Sequence, residues 1–282
     1  YEFSNIFLDK ISGYDLEDCK KGLYEAEQYD SDIEKNFIKD SDFSDFKIFT
    51  KLPKKFKIKT PLGTYNPDFA IIKFDDSDTY GNYELRQCIA DRWGDGDSSS
   101  VLVGNGSNEV IFQLLSSILS EGDEVIVLQP IYHTLGKLAH SICGNIKEWI
   151  LDPTHNFQPN IDDLKQLVTS KTRMVIVNFP HNPTGVSISK KQLDELINIV
   201  SEVGAYLFWD AAFQDIVFNN TPLPNPYLQY NKTIYVGTVS KCYGLAGLRL
   251  GWCIADPKVI KNCQLIKDYT SLYVSPLNEF IG

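Results

Sequence analysis

The sequence contains no apolar run near the roughly 20 residues that a membrane-spanning helix needs, and no charged-then-apolar leader, so no membrane partner is expected. Basic charge is also scarce. The 27 lysines and arginines stand against 37 acids, which gives a net charge of −10. A chain this acidic is poorly suited to hold phosphate backbones on a broad basic face, so nucleic acid is not expected as a partner either.

Clusters of metal-binding or disulfide-forming residues are missing as well. Six cysteines are scattered along the chain without a CxxC pair, and the four histidines are not grouped. This spacing argues against a structural zinc site and against a disulfide scaffold. The sequence therefore predicts no metal, and a reducing, cytoplasmic location.

The chain does contain enough apolar material for a large core. Of its 282 residues 43% are hydrophobic, and a chain of this length buries about three quarters of its unfolded surface. Charge is uneven near the start: residues 1–46 carry thirteen acids, and residues 47–60 carry six lysines and no acid. The lysine-rich stretch 51–57 is either an anion-binding or targeting patch or, more simply, solvated surface. We predict an arm or part of a small domain at 1–60 and a main domain at 61–282.

From residue 79 the pattern alternates between helix and strand. Predicted helices cover 82–93, 107–119, a segment from 160, and 189–204. Predicted strands cover 101–103, 124–128, 174–179, 205–209, 233–236 and 250–255. Continuous apolar strands separated by helices are typical of an α/β fold, here a three-layer αβα arrangement with a mostly parallel sheet covered on both faces. Ligands of such sheets bind beyond the carboxyl ends of the strands.

The end of the chain carries a further helix start. Ser275 reads as a helix cap followed by a proline in the first turn. Only a few residues follow, and so short a helix is marginal alone. We therefore expect that a C-terminal part of the protein, with a small domain, is absent from this sequence.

The run GNGSNE at 104–109 links a predicted strand directly to a predicted helix. Glycine lets the backbone approach a ligand closely, and the free N–H groups of Gly106, Ser107 and Asn108 would point at an anion. An ordinary strand-to-helix turn with a serine or asparagine cap would use the same residues. Both interpretations are open on this run alone.

Two further strand ends carry polar side chains. The run PHNPTG at 180–185 makes Asn182 either a polar group at the ligand edge or part of a Pro-Gly turn. Asp210 ends an apolar strand, where a carboxylate needs a charged or hydrogen-bonding partner. His181 and Cys242 are interpreted as structural residues, and Trp209 and Trp252 as core.

The densest set follows the strand at 233–236, where two hydroxyls, Lys241, several glycines and Arg249 fall within 238–252. The flanking residues are apolar and carry little charge, which predicts a largely buried segment. Burial would lower the pKa of the Lys241 amine and make it a nucleophile suited to a Schiff base.

The order of these parts resembles the fold type I pyridoxal-phosphate enzymes. Within them it is similar to the class I/II aminotransferases, including the histidinol-phosphate aminotransferase-like branch. The glycine-serine loop comes first, then Asn182, then Asp210 28 residues later, then Lys241 after a further 31, with Arg249 eight residues on. The resemblance covers roughly residues 60–282.

The resemblance implies pyridoxal 5′-phosphate as cofactor and a role for each residue. Lys241 would form the internal aldimine and carry the proton between Cα and C4′. Asp210 would pair with the pyridinium nitrogen, and Asn182 would donate to the phenolic oxygen. Tyr132 would stack on the ring. The phosphate would be held by Gly106, Ser107, Asn108, Thr238, Ser240 and Arg249.

Departures from the family pattern leave the reaction open. Phe213 stands where the family usually has a tyrosine that donates to the phenolic oxygen, which hints at altered chemistry. Tyr80 is only a weak counterpart of the tyrosine that reaches a partner subunit's phosphate. In the family the arginine that binds a substrate carboxylate lies in the C-terminal part, which we expect to be absent from this sequence.

The resemblance implies a homodimeric aminotransferase acting on an amino acid and a 2-oxo acid. The alternative is a lyase or cyclase on the same fold, by β/γ-elimination or related to capreomycidine synthase. A third hypothesis, a binding or regulatory protein without chemistry, is disfavoured by the intact Lys241, Asp210, Asn182 and Arg249.

Overall fold

The structure is a computed structural model that describes residues 78–218 and 221–282 and six short strands before them. It divides the chain into two compact units, residues 1–76 and 77–282. The domain boundary near residue 60 that the sequence suggests stays a prediction.

Where the first unit is described, it contains three antiparallel strand pairs. They join β1 (Gly13–Asp15) to β2 (Ala26–Gln28), β3 (Ile48–Lys51) to β6 (Phe69–Ile72), and β4 (Ile58–Thr60) to β5 (Gly63–Tyr65). The lysine-rich stretch predicted at 51–57 lies, after its first residue, outside the described residues.

The second unit contains seven strands and seven α-helices within its described residues. The strands are β7 (Val101–Gly104), β8 (Glu124–Gln129), β9 (Asn145–Ile150), β10 (Thr172–Asn178), β11 (Tyr206–Asp210), β12 (Thr233–Thr238) and β13 (Gly251–Ile254). The helices are α1 (Tyr83–Trp93), α2 (Ser107–Ile118), α3 (His133–Cys143), α4 (Ile161–Leu167), α5 (Lys190–Glu202), α6 (Pro257–Lys267) and α7 (Pro276–Ile281). Short 3₁₀ turns lie at Asp78–Tyr80, Ser98–Ser100, Pro153–His155, Pro226–Leu228 and Ala246–Leu248.

The seven strands form one sheet in the order β7-β13-β12-β11-β10-β8-β9. β13 runs antiparallel to both of its neighbours, and the other pairs are parallel. The predicted mostly parallel sheet is therefore confirmed. Six strands end at the same edge, and β13 begins there.

Each face of the sheet carries its own apolar core, so the αβα arrangement is also confirmed. On one face Val177, Trp209 and Tyr235 pack beneath α1, α4 and α5. On the other, Ile176 and Phe208 pack beneath α2, α3 and α6. Successive strand residues point to opposite faces, which explains why whole strands are apolar.

Helix caps locate several boundaries as predicted. The side chain of Asn82 accepts a hydrogen bond from the Leu85 N–H, and Ser189 forms a capping box with Gln192. Within the described part of the chain, no helix is long and apolar enough to cross a bilayer. Nor does that part contain a cluster of histidine, cysteine or acidic residues able to hold a metal ion.

Candidate active site

The phosphate-binding candidate lies where β7 ends and α2 begins. The helix starts after Gly106, which has a φ of 88° and supplies no side-chain cap. The first N–H groups of a helix have no intrahelical acceptor and carry the positive end of its dipole. The backbone at Ser107 and Asn108 is thus available to an anion. This geometry favours the anion-binding interpretation of the glycine-serine loop over a side-chain-capped turn.

Arg249 lies directly against this loop. A Cβ built on Gly106 would collide with the Arg249 guanidinium group, so the arginine occupies space that only a glycine leaves free. Its Nη1 donates to the Ala246 carbonyl at 3.1 Å. The structure thus brings Gly106, Ser107 and Arg249 together.

Gly251 is what allows the loop to approach β13. A Cβ at Gly251 would collide with the backbone of Gly106 and Ser107. In the sheet Gly251 pairs with Gly104 on one side and Thr238 on the other. The role of this glycine was not predicted, because a glycine at the start of a strand has many explanations.

Thr238 and Ser240 flank the same point. The buried Thr238 hydroxyl donates to the Leu250 carbonyl at 3.0 Å and accepts from the Ser240 N–H at 3.2 Å. The two hydroxyl oxygens lie 3.1 Å apart. Thr238 and Ser240, two members of the predicted phosphate-binding set, are therefore neighbours at the end of β12.

Asp210 is buried without a cationic partner among the described residues. Its Oδ1 accepts one hydrogen bond, from the Ala212 N–H at 3.0 Å. Burial raises the pKa of this carboxyl from 3.8 to about 6, and the Ala212 bond acts in the opposite direction. A buried carboxyl of this kind suits a protonated ring nitrogen, which would supply the missing positive partner.

Asn178 is paired with Asp210 across β10 and β11. The side chain is buried, and its Oδ1 has no hydrogen-bond partner. Sequence reasoning missed this residue, although an asparagine that ends an apolar strand was the available signal.

His181 joins two loops of the site. Its Nε2 lies 2.7 Å from the Pro130 carbonyl and its Nδ1 lies 2.7 Å from the Thr184 hydroxyl. A carbonyl only accepts, so Nε2 carries the proton and Nδ1 accepts from Thr184. Burial lowers the pKa of the His181 ring, which favours this neutral form. The structural interpretation of His181 agrees with these contacts.

These contacts hold the half-buried Asn182 turn against the loop that carries Tyr132. Tyr132 precedes α3, and its hydroxyl accepts a hydrogen bond of 3.3 Å from the Asn108 amide. Two more of the predicted site residues are therefore in contact. No described side chain bonds to the amide of Asn182.

Lys241 is exposed, so the prediction of a largely buried segment holds for the flanking segments at 233–239 and 250–255 but is wrong for the loop at 241–249. The turns at 241–247 and Arg249 are exposed or half-buried. The Nζ of Lys241 lies 5.9 Å from the centre of the Phe213 ring.

Cys242 and Tyr80 both lie within the described residues. Cys242 donates to the Ala212 carbonyl at 3.3 Å, and burial raises the pKa of its thiol, so it is a packing residue. Tyr80 is half-buried against the core, with the Arg86 guanidinium 5.6 Å from its ring centre.

The residues at this edge fit pyridoxal 5′-phosphate by their donor chemistry. An uncapped helix start with a guanidinium suits the phosphate dianion. The buried Asp210 suits a pyridinium nitrogen, and the exposed Lys241 amine follows the strand next to it. Fold and site together define a fold type I pyridoxal-phosphate enzyme.

Sequence comparison gives the family. The model for the family described as Aminotransferase class I and II matches residues 76–277. The chain belongs to this family, and its cofactor is pyridoxal 5′-phosphate. A second model, described as an Endonuclease domain, matches residues 20–85, less than a quarter of the chain and mostly outside the described residues.

Individual relatives include a cyclase and aminotransferases. Capreomycidine synthase of Streptomyces vinaceus is 37% identical over 78% of this chain and 56% of its own length. An aspartate aminotransferase of Thermotoga maritima is 27% identical over 72% of this chain and 56% of its own length. Among solved structures, the PLP-dependent cyclase OrfR is 38% identical with a TM-score of 0.69, over 74% of this chain and 55% of that one. The chain thus spans about half the length of the relatives it matches.

Proposed function

We propose that this chain forms the cofactor-binding part of a pyridoxal-phosphate enzyme that acts at the Cα of an amino acid. The observation that carries the proposal is the convergence at one sheet edge of the Gly106–Arg249 contact, the buried Asp210 and the Lys241 loop. When bound, the cofactor supplies an aldehyde that combines with amines and a ring that accepts the electrons of a bond broken at Cα.

Each protein group has a distinct task in this proposal. The Lys241 amine holds the cofactor aldehyde and then moves the proton at Cα. Asp210 holds a proton on the ring nitrogen, and Asn182 donates to the phenolic oxygen. Tyr132 packs on the ring. The phosphate is held by Gly106, Ser107, Asn108, Thr238, Ser240 and Arg249.

Cyclisation or elimination is the outcome that we favour. Its support is the identity of 37% to a capreomycidine synthase and of 38% to a PLP-dependent cyclase, against 27% and 30% to two aspartate aminotransferases. Phe213 beside Lys241 also supports altered chemistry, because a phenylalanine ring cannot donate to the phenolic oxygen. Transamination between an amino acid and a 2-oxo acid is the second candidate, supported by the family match.

We further propose that the whole protein works in the cytoplasm as a homodimer. The scattered free cysteines of the described residues suit a reducing compartment. In the family the subunit interface completes the site, and the exposed Lys241 loop is consistent with such an arrangement.

Borohydride reduction followed by peptide mass mapping tests the cofactor step. The peptide containing Lys241 should gain the mass of a pyridoxyl phosphate group, and Lys241→Ala should carry none. Lys232→Ala, which changes an exposed lysine elsewhere, serves as the matched control and should keep the adduct. An adduct-free wild type after incubation with the cofactor would rule out the proposal for this chain.

Product analysis then separates the two outcomes. A cyclised amino acid, or ammonia with an oxo acid, identifies cyclisation or elimination. A new amino acid formed while an added 2-oxo acid is consumed identifies transamination. The assay should use the full-length protein, since this chain spans about half of its relatives.

A further inference from the structure

Lys267, the last residue of α6, is fully buried although its side chain ends in an ammonium group. Its Nζ donates a hydrogen bond of 2.7 Å to the carbonyl of Val103. Burial lowers the pKa of this amine, and the nearby carboxylates of Glu279 and Glu109 act in the opposite direction. Removing an ammonium group from water is costly, so its environment must offset that cost.

The acceptor of this hydrogen bond, Val103, lies just before the glycine-serine loop. Val103 is in β7, which is an edge strand of the sheet among the described residues, so β7 has a neighbouring strand on one side only. A buried carbonyl without a partner is unfavourable, and Lys267 supplies the donor. The next residue is Gly104, whose carbonyl accepts from the Gly106 N–H at 2.8 Å.

Two further contacts hold the loop from the same side. The Asn105 N–H donates to Glu109 Oε2 at 2.5 Å. The Asn105 amide also donates to the Tyr273 carbonyl at 3.3 Å, six residues after Lys267. The loop is thus fixed by the segment that begins at Lys267 and by a carboxylate in the first turn of α2.

Glu109 creates an electrostatic problem for a phosphate site. Glu109 is in the first turn of the helix whose first N–H groups would bind the dianion, and its carboxylate lies against Asn105 of the loop. Like charges repel in a partly buried environment. The carboxylates of Glu279 and, to a smaller extent, Glu109 favour the charged form of Lys267 and so act against the lowering of its pKa. The buried ammonium group therefore offsets a negative charge next to the loop.

We propose that Lys267 is a positioning residue for the phosphate site, which it serves through Val103 and Glu109 without touching the cofactor. The inference rests on the proposed function, since it assumes that the 104–108 loop binds the phosphate. It predicts a defect that depends on the phosphate group of the ligand. A residue that only stabilised the fold would affect ligands with and without phosphate equally.

The test compares pyridoxal 5′-phosphate with pyridoxal, which lacks the phosphate, in equilibrium titrations of the full chain. Lys267→Met should raise the Kd for pyridoxal 5′-phosphate about tenfold, the effect of losing one charged interaction. The Kd for pyridoxal should stay within about twofold. Equal increases for both ligands, or no change for either, would overturn the inference.

Lys147→Met is the matched control. Lys147 is half-buried rather than fully buried, but like Lys267 it donates to a carbonyl, that of Leu167 at 3.0 Å, and it pairs with Glu124 at 2.8 Å. It lies on β9, at the opposite side of the sheet from β7. Its loss should leave the ratio of the two Kd values unchanged. A ratio that changed as in Lys267→Met would also count against the inference.

A second variant keeps the test decisive if Lys267→Met does not fold. Glu109→Gln keeps an acceptor for Asn105 and removes the charge, so it should lower the Kd for pyridoxal 5′-phosphate by a few-fold and leave pyridoxal unchanged. An unchanged or raised Kd would contradict the role of Lys267 in offsetting Glu109. If the wild type binds neither cofactor form, the proposed function fails separately. Inorganic phosphate then tests Lys267, and no loss of phosphate binding in Lys267→Met would overturn the inference.

Discussion

The two ends of the candidate site are built differently. At the phosphate end, Gly106, Gly251 and Arg249 are in mutual close approach, and Thr238 is fully hydrogen-bonded. At the ring end, Asp210 is buried with one backbone donor, and Asn178 has an unpartnered amide oxygen. The chain's own packing therefore sets the phosphate end, whereas the ring end is left short of partners that a ligand can supply.

Gly251→Ala should have the largest effect on the free energy of unfolding, because it changes the closely packed phosphate end of the site. The added methyl group would collide with backbone atoms of Gly106 and Ser107, which cannot move aside as a side chain can. We expect a loss of about 3 kcal/mol in the free energy of unfolding, measured by denaturant titration, together with loss of pyridoxal 5′-phosphate binding.

Gly247→Ala is the control for that prediction, since a methyl group at Gly247 meets nothing within 4 Å. It should change the free energy of unfolding by less than about 0.5 kcal/mol. Equal stability of the Gly251 and Gly247 variants would show that the phosphate end is not fixed by close packing.

Asp210→Asn should stabilise the cofactor-free chain while it weakens cofactor binding. In the folded chain the pKa of Asp210 is about 6, above the ordinary 3.8. The contribution of this carboxyl to the free energy of unfolding is therefore full below pH 3.8 and is lost as pH rises through 6. Asparagine carries no such charge. At pH 7 the variant should gain roughly 3 kcal/mol at most, since a tenfold change in an ionisation constant is about 1.4 kcal/mol.

Thermal unfolding at pH 4 and pH 7 measures this difference. The gain of the Asp210 variant should shrink toward pH 4, and Asp215→Asn, at an exposed carboxylate, should show neither the gain nor its pH dependence. A destabilised Asp210 variant at pH 7 would mean that the ring end is already satisfied by the protein.

His181→Phe should have a smaller effect on the free energy of unfolding, because it removes only the two hydrogen bonds that connect two loops. The Pro130 carbonyl and the Thr184 hydroxyl would lose their partners, at a cost of about 2 kcal/mol. The ring's pKa lies below its ordinary 6.5, so its stabilising effect is full above pH 6.5 and declines as pH falls through the lowered value. Denaturant titrations at pH 7.5 and pH 5 should show the difference from wild type narrowing at pH 5.

His155→Phe is the control, since His155 is exposed. We expect a change within about 0.5 kcal/mol there. A His181 variant as stable as this control would show that the two loops are held together by other contacts.

Much of the sheet could be predicted from the sequence because buried parallel strands are continuous apolar runs. The strand at 174–179 and the capped helix at 189–204 are observed as β10 and α5. β9 was missed, because an edge strand with Lys147 and Glu148 has no apolar run. α3 was missed because its buried face is limited to three residues: Leu135, Ala139 and Cys143.

The site was only partly predictable for a different reason. Motif spacing indicated Asp210 and Arg249, since each follows a recognisable strand. The contacts of Lys267 and Gly251 depend on residues more than 140 positions away in the chain, and no local pattern encodes them. The exposure of Lys241 likewise depends on what packs over its loop, which its apolar neighbours do not determine.

Phe213→Tyr is the mildest change and acts only when the cofactor is bound. Lys241 Nζ lies 5.9 Å from the Phe213 ring centre, so the added hydroxyl belongs to a ring beside the amine that we propose holds the cofactor. A new donor to the phenolic oxygen favours its anionic form. The midpoint of the pH titration of the cofactor's visible absorbance should fall by roughly 1, whereas Phe218→Tyr, at an exposed ring, should not move it. An unchanged midpoint would remove Phe213 as a reason to expect cyclisation rather than transamination, and leave that choice to sequence similarity alone.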